Sequence, residues 1–385
     1  MIVTMKNKVL IMACLLTAFT SCRQTKDNGV LTLDVASSVP KLEVAVQDFM
    51  EVEYVPLETN DEFVVPNHLI GLSKSYIVML GKGNDYTLYF FDRKSGKALW
   101  KINHRGQGPE EYTYINTIVV DEENGELFVN DDGGADRTLV YDLHGNFKRS
   151  FKHRDDSNYW NLVNFDKEHL IVYEGSQFIL DGQPHEKNYH YVISKEDGSI
   201  TDEISLPYET VRSTLVLNGD VVGVFTIDGV VPYGDDFLIC EASTDTIYRY
   251  TKQHELTPLL AKLPTENPER VLAMGLSTER YLFFSAFRKE LEMPQMSIPS
   301  TPLVYDKQER YLYENEVYNA DFKKHTRIGL NVDGSVKGGA YAVINADKIL
   351  DAYEEGNLQG PLLSIVAQLD AEDNPVVMLM KPIHN

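Results

Sequence analysis

Leu88-Tyr-Phe-Phe-Asp92-Arg-Lys-Ser-Gly96-Lys-Ala-Leu99 decides the fold, because it returns. It is an apolar run ending in an aromatic pair, then a polar turn, then a second run. The same figure stands at Leu139-Val-Tyr-Asp142-Leu-His-Gly145-Asn-Phe147 and at Tyr191-Val-Ile-Ser194-Lys-Glu-Asp-Gly198-Ser-Ile200. Looser copies run from Ile247 to Leu256 and from Leu303 to Leu312. The turn has a physical reason: Asp caps it with its side chain, and Gly takes the positive φ angle. The copies lie about 50 residues apart, the period of a propeller blade or a solenoid unit.

Outward from each turn lies a further β-rich run. Ile118–Val129, Leu162–Tyr173, Val221–Cys240, Tyr281–Phe287 and Gly339–Asn345 are each expected to be a strand pair. Four short strands per unit, repeated, describe a β-propeller. Five turn copies and a C-terminal unit over Leu362–Met380 predict six blades. Leu42–Leu57 reads as a strand pair able to complete the last blade beside Val376–Met380, which removes the exposed sheet edges. The expectation is all-β: a six-bladed β-propeller with an N-terminal strand closing the last blade. Two unrelated β-sandwiches are the disfavoured alternative.

Composition bounds the function. The chain has 385 residues, a net charge of −22, 43% hydrophobic and 24% charged residues, and 3 Cys. These exclude wholesale disorder, a disulfide-stapled scaffold and a Cys-rich zinc protein. The acidic balance argues against a nucleic-acid partner, since phosphate contact needs a basic face.

The first 21 residues read as a signal peptide. Lys6 and Lys8 form a positive start, and Val9 to Phe19 form an apolar run too short to span a bilayer. Ser21 precedes Cys22, the pattern that acylation chemistry requires, so Cys22 is the expected lipidation site and the membrane the expected partner through it. Ile11-Met12-Ala13-Cys14 is a competing match that leaves almost no apolar run before it. Residues 22–41 are expected to form a flexible tether, and 42–385 the propeller. Arg23 suits export to the outer membrane, on its periplasmic or its outer side. Cys240 then is the one thiol left, flanked by a strand-like Phe237-Leu-Ile run.

Gly106-Gln-Gly108-Pro109-Glu-Glu111-Tyr112, the turn at Tyr141–Phe147, and Ser243-Thr-Asp245-Thr246-Ile247-Tyr248 resemble the six-bladed propeller lipoproteins of Gram-negative gut-type bacteria. Glu53-Tyr-Val-Pro56-Leu57-Glu58 and Asp373-Asn-Pro375-Val-Val-Met-Leu379 fit the same family. The resemblance spans the mature chain and extends distantly to NHL-repeat propellers. Glu110 stands where that family usually has Gly. The resemblance implies an envelope propeller, and a fold that hosts both binding modules and a few enzymes.

The chemistry-bearing segments each carry two readings. His104–Tyr112 is either a structural clip, which is favoured, or a ligand-binding loop at a blade junction. Its Arg105, Gln107, Glu111 and Tyr112 are the candidate contacts. It lacks Walker spacing and a βαβ context, so it is neither a phosphate nor a dinucleotide loop. Asn130-Asp131-Asp132-Gly-Gly-Ala-Asp136 is a hairpin with solvated acids or a Ca²⁺ loop; Asp131 and Asp132 join the ligand-binding candidates. His185, Glu186 and His190 form a weak metal set, disfavoured. Neither Glu110/Glu111 nor Asp235/Asp236 can act as a dyad, because neighbours on a strand face opposite ways. The apolar insertion Phe287–Thr301 suits a lid or a docking loop. Asp347–Gly356 reads as one helix, capped by Asn345 and Gly356, with Ile349, Leu350 and Tyr353 packed on a blade.

The expected function is a non-catalytic binding module for a glycan, peptide or envelope protein, with no catalytic residue, metal or cofactor assigned. The alternative is a polysaccharide hydrolase or lyase working in the propeller channel. The channel lining separates the two.

Overall fold

The computed structural model describes residues 25–27, 30–134, 136–154, 157–175 and 179–383. The expected signal peptide and Cys22 lie outside them. The strands form six blades and one separate two-stranded ribbon. Blade one is Leu69–Leu72, Tyr76–Leu80, Leu88–Asp92 and Ala98–Ile102. Blade two is Ile115–Asp121, Glu126–Asp131, Arg137–Asp142 and Phe147–Lys152. Blade three is Asn161–Asn164, His169–Tyr173, His190–Ser194 and Ile200–Ile204. Blade four is Val230–Tyr233, Asp236–Ile239, Thr246–Tyr250 and Leu256–Lys262. Blade five is Arg270–Ser277, Tyr281–Arg288, Ser300–Asp306 and Tyr311–Asn319. Blade six takes Asn331–Asp333, Gly339–Ile344 and Val376–Pro382 from the C-terminal end and Met50–Pro56 from the other. From blade one through blade six, each first strand packs on the first strand of the next, so these strands line the axis.

The aromatic pair of the repeat follows from this geometry. Adjacent residues on a strand face opposite ways. Between radial blades, both faces are interfaces. Phe90 therefore packs with Leu127 and Tyr141 of blade two, while Phe91 packs with Val377 and Leu379 of blade six. Val140 and Tyr141 divide their duties likewise, toward blades three and one. Each of the six blade interfaces has its own apolar cluster. Each fully buried large side chain contributes about 1.5–3 kcal/mol relative to exposure. Outermost strands have one wet face and alternate accordingly, as in Ala98–Ile102 and Ile200–Ile204.

The five repeated turns connect the third and fourth strands of blades one to five. Gly96, Gly145 and Gly198 take φ angles of +70°, +92° and +75° there. In the looser copies His254 and Arg310 hold the same left-handed conformation at +61° and +56°. The Asp92 carboxylate accepts from the Ser95 N–H at 2.7 Å, which is the capping expected of it.

Met50–Pro56 pairs antiparallel with Val376–Pro382, Val55 opposite Val377, and so closes the ring as expected. The rest of the N-terminal segment differs from expectation. Lys41–Ala45 is not the hairpin partner of Met50–Pro56; it runs parallel to the outer strand of blade five, Val44 beside Val317. Val30–Leu33 runs parallel to the outer strand of blade four, Leu31 beside Leu260. Residues 30–33 are thus part of a sheet, not of a tether reaching to 41. Together these strands strap blades four, five and six from outside.

Other expected pairs resolve differently. Val221–Val224 belongs with Leu215–Asn218 in the separate ribbon, and blade four starts only at Val230. Tyr281–Arg288 and Gly339–Ile344 are each one strand. The Leu362–Met380 unit begins in a short helix, Gly360–Ile365, and only its last strand joins a blade. The expected helix is present at Ala346–Glu354, with Ile349 buried and Tyr353 51% exposed, so Tyr353 faces water rather than a blade. Asn345 makes no side-chain cap.

Candidate functional site

Two regions deserve a residue-level account: the corner between blades one and two, and the axial channel. At the corner, Gly106 N–H donates to the Tyr112 carbonyl at 3.0 Å and Tyr112 N–H to that of His104 at 3.0 Å. The Tyr112 hydroxyl, fully buried, donates to the Tyr86 carbonyl and accepts from the His104 N–H, both at 3.0 Å. Burial pushes that hydroxyl up to about 12. Glu111 folds back so that its carboxylate accepts from the Gly108 N–H at 2.8 Å. A Cβ on Gly106 would stand 1.9 Å from the Glu111 carboxylate, so a side chain there would displace it from the Gly108 N–H.

Arg137 completes the clip. Its guanidinium donates to the carbonyls of Gly108 and Pro109 at 3.1 Å and of Glu111 at 2.5 Å, and meets Asp131 at 3.4 Å. The other Asp131 oxygen accepts from the N–H groups of Thr113 and Tyr114 at 3.0 and 3.1 Å. Tyr112, Glu111 and Asp131 thus each help to close the loop. Asp131 is also not a solvated acid of a hairpin but a buried staple. Arg105 and Gln107 stay exposed, Arg105 with its guanidinium 5.6 Å from the Tyr86 ring centre. Asp132 is half-buried, and burial is the main cause that raises its carboxyl. Glu110 in place of the family's glycine is accommodated because its side chain is exposed and only its carbonyl is used, by the Tyr141 hydroxyl at 2.7 Å.

The two histidines of the disfavoured metal set lie in separate surroundings. His185 stacks on Tyr208 at 3.8 Å, while His190 lies buried on Tyr173 with Nε2 3.2 Å from the Gly229 carbonyl. Among the described residues no three His, Cys, Asp or Glu side chains gather as a metal set.

The axial channel is the larger feature, a cavity of about 390 Å³ walled by the first strands of blades one, two, three, four and six. Leu69, Ile118, Val230 and Val332 give it apolar walls; Ser73, Asn161, Asn164 and Tyr341 bring hydroxyls and amides to it. Two of its carboxylates, and one just outside its lining, are held across a blade boundary. Asp121 pairs with Lys195 at 2.6 Å, Asp333, next to the lining residue Val332, with Arg93 at 2.7 Å, and Glu122 accepts from the Ser75 N–H at 2.8 Å; Glu123 also lines the cavity. The first two pairs are buried on both sides, where a completed ion pair is needed to offset desolvation.

Asp228 differs. It opens on the channel just before the first strand of blade four. Gly229 fixes its place: a Cβ there would fall 2.2 Å from the Tyr173 ring, and the Gly229 carbonyl accepts from Cys240 N–H at 2.9 Å. The surrounding chain raises the Asp228 carboxyl, and the Tyr341 hydroxyl is raised in turn, mainly by burial and then by the charge of Asp228. Sequence reasoning missed Asp228 and Tyr341. The signal was the short Ile227-Asp228-Gly229 step ahead of a strand, but it points to the axis only once the ring is known.

The fold and channel define a closed six-bladed propeller with a polar-apolar axial cavity. The chain belongs to the family described as "Domain of unknown function (DUF4934)", whose model matches residues 30–262, more than half of the chain. Among solved structures, it is similar to a Bacteroides fragilis protein described as exported, with 17% identity, 90% of this chain and 98% of that one covered, and a TM-score of 0.63. It is also similar to a member of the DUF4221 family from Bacteroides vulgatus, at 13% identity, 87% and 97% coverage and a TM-score of 0.46. A streptogramin B lyase aligns over 88% of this chain and 100% of that one, at 10% identity and a TM-score of 0.38. Comparison with curated proteins returns no match. At these identities the likeness bears on fold alone.

Proposed function

We propose that this chain is an exported, membrane-anchored binding protein that holds a ligand in the propeller channel and performs no chemistry on it. The channel lining carries the reading. Amides and hydroxyls stand among apolar walls, which is the composition of an orienting pocket. Hydrolysis of a glycoside usually needs two carboxyls in concert, and Asp121 and Glu122 of the lining are already held in links between blades. The alternative, a polysaccharide hydrolase or lyase, rests on the other two lining carboxyls, Glu123 and Asp228. The description of the Bacteroides fragilis neighbour as exported agrees with an envelope location. Lys6, Lys8 and the Ser21-Cys22 step support export and acylation, with Cys22 as anchor in the outer membrane. A glycan, a peptide or an envelope protein is the expected class of ligand, and Arg105, Gln107 and Asp132 remain accessible for contacts beyond the channel.

The test screens residues 23–385 against envelope and dietary glycans, with turnover monitored. Saturable binding, lost when Asn164→Trp fills the channel, with the ligand recovered intact, is the expected result. Release of product overturns the non-catalytic reading. In cells fed labelled palmitate, label on the protein that disappears with Cys22→Ser supports the anchor.

A further inference from the structure

The two ends of the ring differ in polarity. Strands alternate in direction within each blade, so the repeated turns, such as Asp92–Gly96, stand at one end. The connections from blade to blade, and those from second to third strands, stand at the other. Eleven large apolar side chains are exposed among the described residues, and all but Leu99 lie on connections at this second end. The densest group joins the ribbon between blades three and four to the insertion after blade five's second strand. Leu215 stands opposite Val224 and Leu217 opposite Val222, so these four share one face of the ribbon. The other face packs on Leu291 and Ile298. Leu217, Val222 and Val224 are each half exposed or more, as are Met293 and Met296 at the bend of the insertion. Exposed apolar surface gathered in this way marks an interaction site.

The path of the chain says what covers it. Val30–Leu33 runs with the outer strand of blade four, and Leu33 lies beside Lys262, where that strand leaves for blade five. Thr25–Asp27 runs the opposite way beside it, with Thr25 opposite Thr32. The chain therefore enters its first strand at the apolar end. Cys22 stands three residues before Thr25, a reach of about 10 Å at most.

We propose that the hairpin Leu215–Val224 and the bend 292–297 enter the interfacial region of a phospholipid bilayer, seating the ring on the membrane that holds Cys22. This rests on the acylation of Cys22 proposed above. A protein partner is the poorer occupant, since the anchor brings lipid to this end. Asp220, at the turn, is the one charge between 215 and 224, and Glu292 is paired with Arg288 at 2.7 Å. Burial of apolar side chains, not charge, is the attraction. With a net charge of −22, neutral headgroups suit the chain better than anionic ones. The patch lies across the ring from the corner of blades one and two, so the ring tilts onto it and the exposed Arg105 stays in water.

The experiment reconstitutes the acylated protein, purified from membranes, in vesicles of phosphatidylcholine and phosphatidylethanolamine. A thiol-reactive dye is placed at Leu217→Cys or, on the opposite end, at Lys94→Cys, and quenching by lipids brominated in their acyl chains is read. Cys240 is buried and stays unlabelled. Quenching at Leu217→Cys should exceed that at Lys94→Cys at least threefold. Val222→Asp with Val224→Asp should cut it at least twofold without lowering the melting temperature. Equal quenching at the two positions, or no effect of the double variant, overturns the seating. Shielding of the dye at Leu217→Cys that needs an outer-membrane protein extract and is absent from pure lipid also overturns it, in favour of a protein partner. Anchoring is read separately, by flotation. If the chain does not float with the vesicles, or floats equally as Cys22→Ser, the anchor reading fails and this proposal with it. If it floats through Cys22 and the dye is not quenched, the seating alone fails.

Discussion

His153 and His190 show how surroundings, which spacing does not reveal, set the state of a histidine. Both are buried, His153 stacked on Tyr159 at 4.1 Å and His190 on Tyr173 at 4.6 Å, and burial pulls both down to about 4. In the unfolded chain each titrates near 6.5. The unfolded state therefore binds protons first, so stability is full above about pH 6.5 and falls as pH drops toward 4, by up to about 1.4 kcal/mol per pH unit for each histidine. Thermal melts between pH 7 and 4 should show this slope, and His190→Gln should flatten it. A melting temperature indifferent to pH across that window would contradict the burial of both rings. At this scale legibility was uneven. The turn glycines announced themselves because φ leaves few alternatives, whereas the inward turn of Tyr112 and Asp131 is not written in their spacing.

Elements in this ring are held to one another by charge as well as by apolar packing. Lys195, in a turn of blade three, reaches Asp121 at the end of blade two's first strand, and also donates to the Asp166 carbonyl at 2.6 Å. Both side chains are nearly closed to water. Removing one partner leaves an uncompensated buried charge and costs about 3–5 kcal/mol, while replacing both with apolar residues of similar volume is close to neutral. Asp121→Ala should therefore lower denaturant stability sharply, and Asp121→Leu with Lys195→Met should recover most of it. Equal losses in the single and double variants would refute this. The strands of blades one to three were readable because their partners follow within a hairpin. The segment Lys41–Ala45 was not, because its partner Glu314–Tyr318 is distant in sequence and parallel. Val221–Val224, the second strand of the ribbon, was read as blade because its Val-rich alternation is that of any half-buried strand. Its inner face takes Leu291 and Ile298 of the insertion after blade five's second strand, close enough to leave no room for a side chain at Gly223.

For the whole molecule, closure is the property that matters. A chain beginning at residue 58 lacks the outer strand of blade six and exposes the edge Val376–Pro382. It should elute as dimers or aggregates in size-exclusion chromatography, and a peptide of residues 46–57 should restore the monomer. A chain beginning at residue 34 should stay closed and merely melt earlier, having lost only the strand on blade four. A stable monomer from residue 58 would show that the ring does not need its clasp. The six blades were visible from the repeat because a ring imposes the same packing on each unit. The channel lining was not, since which residues face the axis depends on the whole ring.

The clasp also orders events in time. Met50–Pro56 emerges early from the ribosome, but Val55 must wait for Val377 before it has anywhere to go. Until the last strand is made, blade six cannot exist and the circle stays open. A polypeptide whose first and last segments must meet is kept from finishing its fold until its synthesis is complete.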